Sequence, residues 1–124
     1  MKLSKAEEEL MNFLWKKEKA FMKDLLDAYP EPKPAATTVA TMLKRMTDKG
    51  VIAYTTEGKS REYFPLIKKN DYFSNHLKGL IKNFFNDSTT QFASFFTEEV
   101  NLTEEELKDL KSVIEKQIEK SRTK

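Results

Sequence analysis

The sequence predicts a mainly α-helical chain interrupted by one small β-hairpin, and three observations carry that class. The first is a helical stripe with a stop behind it. Val39, Met42, Leu43 and Met46 fall at i, i+3, i+4 and i+7, and Gly50 follows Lys49. The second is a pair of alternating segments directly afterwards, residues 51–57 and 60–67, around the turn Glu57-Gly58-Lys59-Ser60. The third is a series of further amphipathic stripes on either side, each introduced by a capping signal.

Taken in order, Ser4 and Glu7 have the spacing of a capping box, and Ala6, Leu10, Phe13 and Leu14 make the inward stripe of a first helix running to about Trp15. Met11 and Trp15 widen that stripe, so the single tryptophan reads as core packing rather than as a stacking platform. After the polar break 16–19, Phe21, Leu25 and Leu26 support a short second helix ending near Tyr29. Pro30, Pro32 and Pro34 then force an extended turn. The third helix spans 36–49 and the hairpin follows. Helix, short helix, turn, helix, hairpin is the order of a winged helix-turn-helix.

On the third helix the side opposite the apolar stripe is centred on Thr37, Thr41 and Lys44 and flanked by Thr38, Ala40 and Arg45. Thr hydroxyls can bond base edges, their methyls and that of Ala40 can meet a thymine methyl, and Lys or Arg can reach guanine or phosphate. An ordinary solvated helix face has a similar composition. The next element favours DNA, because Lys59 and Arg61 sit at or just past the hairpin tip, where a wing touches the backbone or minor groove. Thr37, Thr38, Thr41 and Lys44 are therefore the expected contacts to base edges or nearby phosphates, with Arg45, Lys59 and Arg61 on the backbone.

Composition narrows the function further. At 124 residues the chain suits one or two small domains and is short for most cofactor-dependent enzymes. It has no cysteine, which excludes disulfide and thiolate chemistry and suits a reducing cytoplasm. No secretion-signal-like or membrane-spanning apolar run is present. The net charge is only +2 but unevenly spread. Lys33, Lys44, Arg45, Lys49, Lys59, Arg61, Lys68 and Lys69 face only Asp48, Glu57 and Glu62 in the middle of the chain, whereas residues 98–119 carry an acidic surplus. That asymmetry suits a middle segment facing nucleic acid and a tail held away from phosphate. Three glycines give no phosphate loop, and Glu104, Glu105, Glu106 and Asp109 read as favourable charge near a helix N-terminus rather than as metal ligands. His76, the single histidine, lies on an apolar face and is expected to be buried and hydrogen-bonded. No metal, cofactor or catalytic residue is expected.

Beyond the hairpin, Tyr72, Phe73, His76, Leu77, Leu80, Ile81, Phe84 and Phe85 recur at three- and four-residue steps. Phe92, Phe95 and Phe96 follow on a second helix opened by Ser88 and Gln91. Thr103 and Glu106 cap a third, with Leu107, Leu110 and Ile114 inward, joined by Val113 and Ile118. So much large apolar surface on so few residues calls for a second copy to cover it. Phe73, Leu77, Leu80, Ile81, Phe84, Phe85, Phe92, Phe95, Phe96, Leu107, Leu110 and Ile114 are the expected dimerisation residues. The division expected is a winged-helix domain over 1–69 and a helical dimerisation region over 70–124. A monomer in which these faces pack on the winged helix is the alternative.

The segments LSKAEEELMNFLW, TTVATMLKRMTDKGVI and GKSREYFPL resemble the BlaI/MecI/CopY group of penicillinase-type repressors. The likeness is close over residues 3–67 and looser beyond. It rests on Ala6, Glu7, Glu9, Met11 and Trp15, then Thr38, Thr41, Leu43, Arg45, Lys49 and Gly50, then Tyr63 and Pro65. The resemblance implies a homodimeric transcriptional repressor on a palindromic operator in double-stranded DNA. In one branch of that group a regulatory protease relieves repression by cutting an Asn-Phe bond; here the matching stretch is Ala93-Ser94-Phe95-Phe96-Thr97, without the Asn. The copper-responsive branch uses a cysteine-rich tail, which this chain lacks. Two other readings stay open: a winged-helix protein-interaction module, and a regulator enclosing a small apolar ligand among Phe84, Phe85, Phe92, Phe95 and Phe96.

Overall fold

Ser4 and Glu7 open the first helix. In the computed structural model, which describes residues 2–122, the Glu7 N–H donates to Ser4 Oγ at 3.2 Å and the Ser4 N–H donates to Glu7 Oε1 at 2.9 Å. Each residue thus satisfies a donor that the helix start would leave unpaired. Helix α1 is Lys5–Lys17, two residues longer than its apolar pattern, and Glu18 ends it at φ 69°. Leu10, Met11 and Leu14 are fully buried, with Phe13 and Trp15 packed against them. Ala6, expected inward, is exposed, and Glu7 is buried instead. The period explains the exchange: Glu7 lies three, four and seven residues before Leu10, Met11 and Leu14, on their side of the helix.

The segment after α1 departs from expectation. Ala20–Phe21 forms a strand, β1, and helix α2 is only Met22–Ala28. Phe21 therefore precedes α2 rather than belonging to it, its N–H donating to Asp24 Oδ2 at 2.9 Å. Lys33, read from sequence as part of the nucleic-acid-facing charge, closes the other end of α2. Its Nζ donates to the carbonyls of Leu26, Asp27 and Tyr29 at 3.1, 3.2 and 2.7 Å, where a helix end leaves acceptors unpaired. Tyr29 packs edge-on against Phe13 at 4.8 Å between ring centroids, and its hydroxyl is buried with no hydrogen-bond partner among the described residues.

Helix α3, Ala36–Asp48, buries Val39, Met42, Leu43 and Met46 as their spacing requires. Gly50 then turns the chain at φ 78° into β2 (Ile52–Glu57) and β3 (Ser60–Pro65). Gly58 takes the first central position of their turn at φ 63°, where any other side chain would be strained. The strands pair antiparallel with Tyr54 opposite Tyr63 and Thr56 opposite Arg61. β1 adds to the free side of β3, Ala20 opposite Tyr63, so the expected hairpin is one part of a three-stranded sheet in the order β1-β3-β2. Its inner side closes on the core through Ala20, Ile52 and Tyr63.

Helix α4, Lys69–Phe84, starts against α1. The Tyr72 hydroxyl accepts from the Leu3 N–H at 3.1 Å and donates to Glu8 Oε2 at 2.7 Å, and Trp15 Nε1 donates to the Ile67 carbonyl at 2.9 Å. Trp15 is therefore a packing residue with its N–H satisfied by backbone. His76 is half-buried rather than buried, and stacks on Tyr72 at 6.2 Å. The chain divides into two compact units, Met1–His76 and Leu77–Lys124, so the division falls inside α4. In the second unit α5 is Thr89–Glu99 and α6 is Glu104–Arg122, the latter opened by a complete Thr103–Glu106 capping box. Phe85 meets Phe92 and Phe95 at 5.6 and 5.4 Å.

Candidate nucleic-acid interface

The period that sends Val39, Met42, Leu43 and Met46 inward leaves Thr37, Thr38, Ala40, Thr41, Lys44 and Arg45 exposed on α3. The Thr41 hydroxyl donates to the Thr37 carbonyl at 2.9 Å. Its proton is thus engaged and its oxygen remains an acceptor. Lys44 Nζ lies 3.1 Å from Asp48 Oδ2, with both side chains mostly exposed. A pair of that kind is worth well under about 1 kcal/mol, so phosphate can compete for the ammonium. Thr41, Lys44, Arg45, Asp48 and Lys49 line one shallow depression of about 430 Å³.

Lys49, one of the residues carrying the family resemblance, has a different task from its neighbours. Its Nζ donates to both carboxylate oxygens of Glu7 at 2.9 Å, joining the end of α3 to the start of α1. Burial pushes the Glu7 carboxyl up, but hydrogen bonds from Ser4 and Lys49, with the Lys49 charge, outweigh it and hold the group below its ordinary value. The pair fixes the end of α3 against the start of α1. Half of its signal was present in the sequence, since Glu7 falls in phase with the α1 apolar stripe, where an acid needs a partner; nothing local marks Lys49 as that partner.

On the wing, Lys59 is exposed at the turn and its side chain makes no hydrogen bond or ion pair among the described residues. Arg61, expected at the phosphate backbone, also packs within the wing. Its guanidinium lies 4.3 Å over the Tyr54 ring, and Tyr54 in turn packs on Tyr63 at 5.5 Å. Part of the N–H edge is taken up by a hydrogen bond to the Tyr63 side chain, and the remaining donors point away from the ring that the guanidinium covers. The exposed cations and hydroxyls of α3 and the wing thus belong to one unit. Of the expected dimerisation residues, Phe73, Leu77, Leu80, Phe84, Phe95, Leu107 and Ile114 are exposed, and Ile81, Phe85, Phe92, Phe96 and Leu110 half-buried.

A family model described as penicillinase repressor matches residues 3–116. The chain belongs to that family. Among relatives of this family member, the methicillin resistance regulatory protein MecI of Staphylococcus aureus (strain N315) is 24% identical over 115 residues, covering 92% of this chain and 94% of the relative. The penicillinase repressor of Bacillus licheniformis is 27% identical over 114 residues, covering 91% and 89%. The solution structure of the DNA binding domain of the repressor BlaI superposes with a TM-score of 0.51 and 29% identity, covering 57% of this chain and 88% of that one.

Proposed function

We propose that this penicillinase repressor family member is a homodimeric transcriptional repressor that occupies a palindromic operator in double-stranded DNA. The observation carrying this reading is the exposed set Thr37, Thr38, Thr41, Lys44 and Arg45 on a helix whose opposite side is fully engaged in the core. α3 enters the major groove with Thr37, Thr38, Thr41 and Lys44 towards base edges, while Arg45, Lys59 and Arg61 take the phosphate backbone. A protein-interaction module has no need of hydroxyls and cations on that face.

The second half supports self-association. Among the described residues, none from Phe73 to Arg122 is buried, although this stretch is rich in Phe, Leu and Ile. Three helices left this open need a second copy to cover them. Two recognition helices held ~34 Å apart, or a multiple of one turn, then read successive major-groove faces. No helix among the described residues is long and apolar enough to cross a membrane, which suits a repressor working on cytoplasmic DNA. Relief by a regulatory protease would require α5 to open, because the Phe95–Phe96 bond lies in mid-helix.

Footprinting on the DNA upstream of the chain's own gene, across a salt titration and beside a random duplex of equal length, tests the proposal. A protected palindrome with steep salt dependence is expected. Equal, weak binding to both duplexes overturns it.

A further inference from the structure

A groove of about 600 Å³ lies between α2 and the wing in the N-terminal unit. It exists because β1 pairs with β3, which brings the start of α2 beside the strand leaving the wing turn. Lys23 and Asp27 line it from α2, and Lys59, Ser60 and Arg61 from the wing. Its apolar lining comes from Phe21, Met22, Leu26 and Tyr63. Lys23 and Lys59 are exposed. Three cations against one carboxylate over an apolar floor is the complement of one polymer in particular: a sugar–phosphate backbone, whose anionic oxygens alternate with the C–H faces of deoxyribose.

We infer that this groove is a DNA-backbone clamp, in which Lys23 acts with Lys59 and Arg61 on phosphate while Met22 and Leu26 meet the sugar. The inference rests on the repressor reading and deepens it. It adds to the interface a residue from α2, an element with no other assigned contact. A cation at this place carries no sequence information; it sets how deeply α3 sits by fixing the strand that flanks the major groove. Asp27, one helical turn from Lys23, holds the net charge of the groove down and limits binding to unrelated DNA.

The test is a salt titration of the full-length Lys23→Ala and Lys23→Glu proteins against the upstream duplex and a random one, with Lys59→Ala beside them and Lys23→Arg as the conservative variant. Lys23→Ala should weaken both duplexes by the same factor and lower the slope of log K against log salt by about one per copy of the chain. Lys23→Glu should lower it further, Lys23→Arg should restore it, and Asp27→Asn should tighten both complexes. An unchanged slope in Lys23→Ala while Lys59→Ala loses its share overturns the clamp and leaves the repressor reading standing. A wild-type chain that prefers neither duplex takes both down. Circular dichroism at neutral pH confirms that each exposed-site variant is folded.

Discussion

Replacing Lys49 with methionine should cost the fold far more than an exposed lysine is worth, and most at neutral pH. The substitution keeps the aliphatic stem and removes the ammonium that meets both oxygens of Glu7 at 2.9 Å. The Glu7 side chain is 2% exposed, so its carboxylate keeps only Ser4, through its N–H and its side chain, as a donor residue. Breaking a fully buried pair costs about 3–5 kcal/mol. Here the Lys49 side chain is 33% exposed, water reaches the vacated position, and about 2–3 kcal/mol is the discounted figure. For a unit of this size that is a fall in Tm on the order of 10–20 °C. The pH dependence has a definite sign. In the wild type the Glu7 pKa is depressed, so its stabilisation is complete above the ordinary value of 4.5 and lost as pH falls through the folded value. In Lys49→Met burial is opposed by the Ser4 hydrogen bonds alone, the folded pKa rises relative to the wild type, and the stability difference between the two proteins shrinks as pH falls through the variant's folded value. Thermal unfolding followed by circular dichroism at pH 7 and pH 4 should therefore show a gap that narrows on acidification, and Glu7→Gln added to Lys49→Met should recover part of it. A Tm within a degree or two of wild type at pH 7, or an equal loss at both pH values, would refute the argument.

Three further outcomes are expected. Thr41→Val keeps the shape and the methyl but removes the free acceptor. Because the wild-type hydroxyl already donates to Thr37, it should read an adenine N6 or cytosine N4 donor, and its loss should cost about 1–3 kcal/mol at a single operator position; equal loss on every sequence removes it from the base-reading set. Leu80→Lys, on the exposed side of α4, should weaken self-association by on the order of 100-fold or more, measured by sedimentation equilibrium, and an unchanged mass would place the dimer contact elsewhere. Tyr29→Phe removes a buried hydroxyl that has no partner among the described residues, so it should leave Tm unchanged or raise it; a loss above about 1 kcal/mol would mean that the hydroxyl is satisfied in solution.

Periodic features were legible in the sequence. The α3 stripe, the caps at Ser4 and Thr103 and the Gly58 turn each depend on neighbours within a few residues, and each is present. Features created by tertiary pairing were not. β1 has two residues, too few to show an alternation, so the three-stranded sheet read as a lone hairpin. Lys33 reads as one more cation until the chain folds back to offer three carbonyls. Glu7 and Lys49 are 42 residues apart, and nothing local in Lys49 separates it from the cations beside it. The exposed α3 face was readable because it is the complement of the buried one. Arg61 over Tyr54 follows from register, Arg61 lying opposite Thr56 and thus diagonal to Tyr54.

The stacking of Arg61 also separates the two wing cations thermodynamically. A long basic side chain loses up to about 2 kcal/mol of rotamer entropy when a partner immobilises it. Arg61 has already surrendered much of that freedom on the Tyr54 ring and against Tyr63, and presents its remaining N–H donors in a fixed direction. Lys59, on the turn itself, keeps its rotamers until a phosphate arrives. On the proposed repressor reading the wing is therefore half preorganised: Arg61 would offer a fixed direction of approach, and Lys59 an adaptable charge able to follow the backbone as the local shape of the duplex varies.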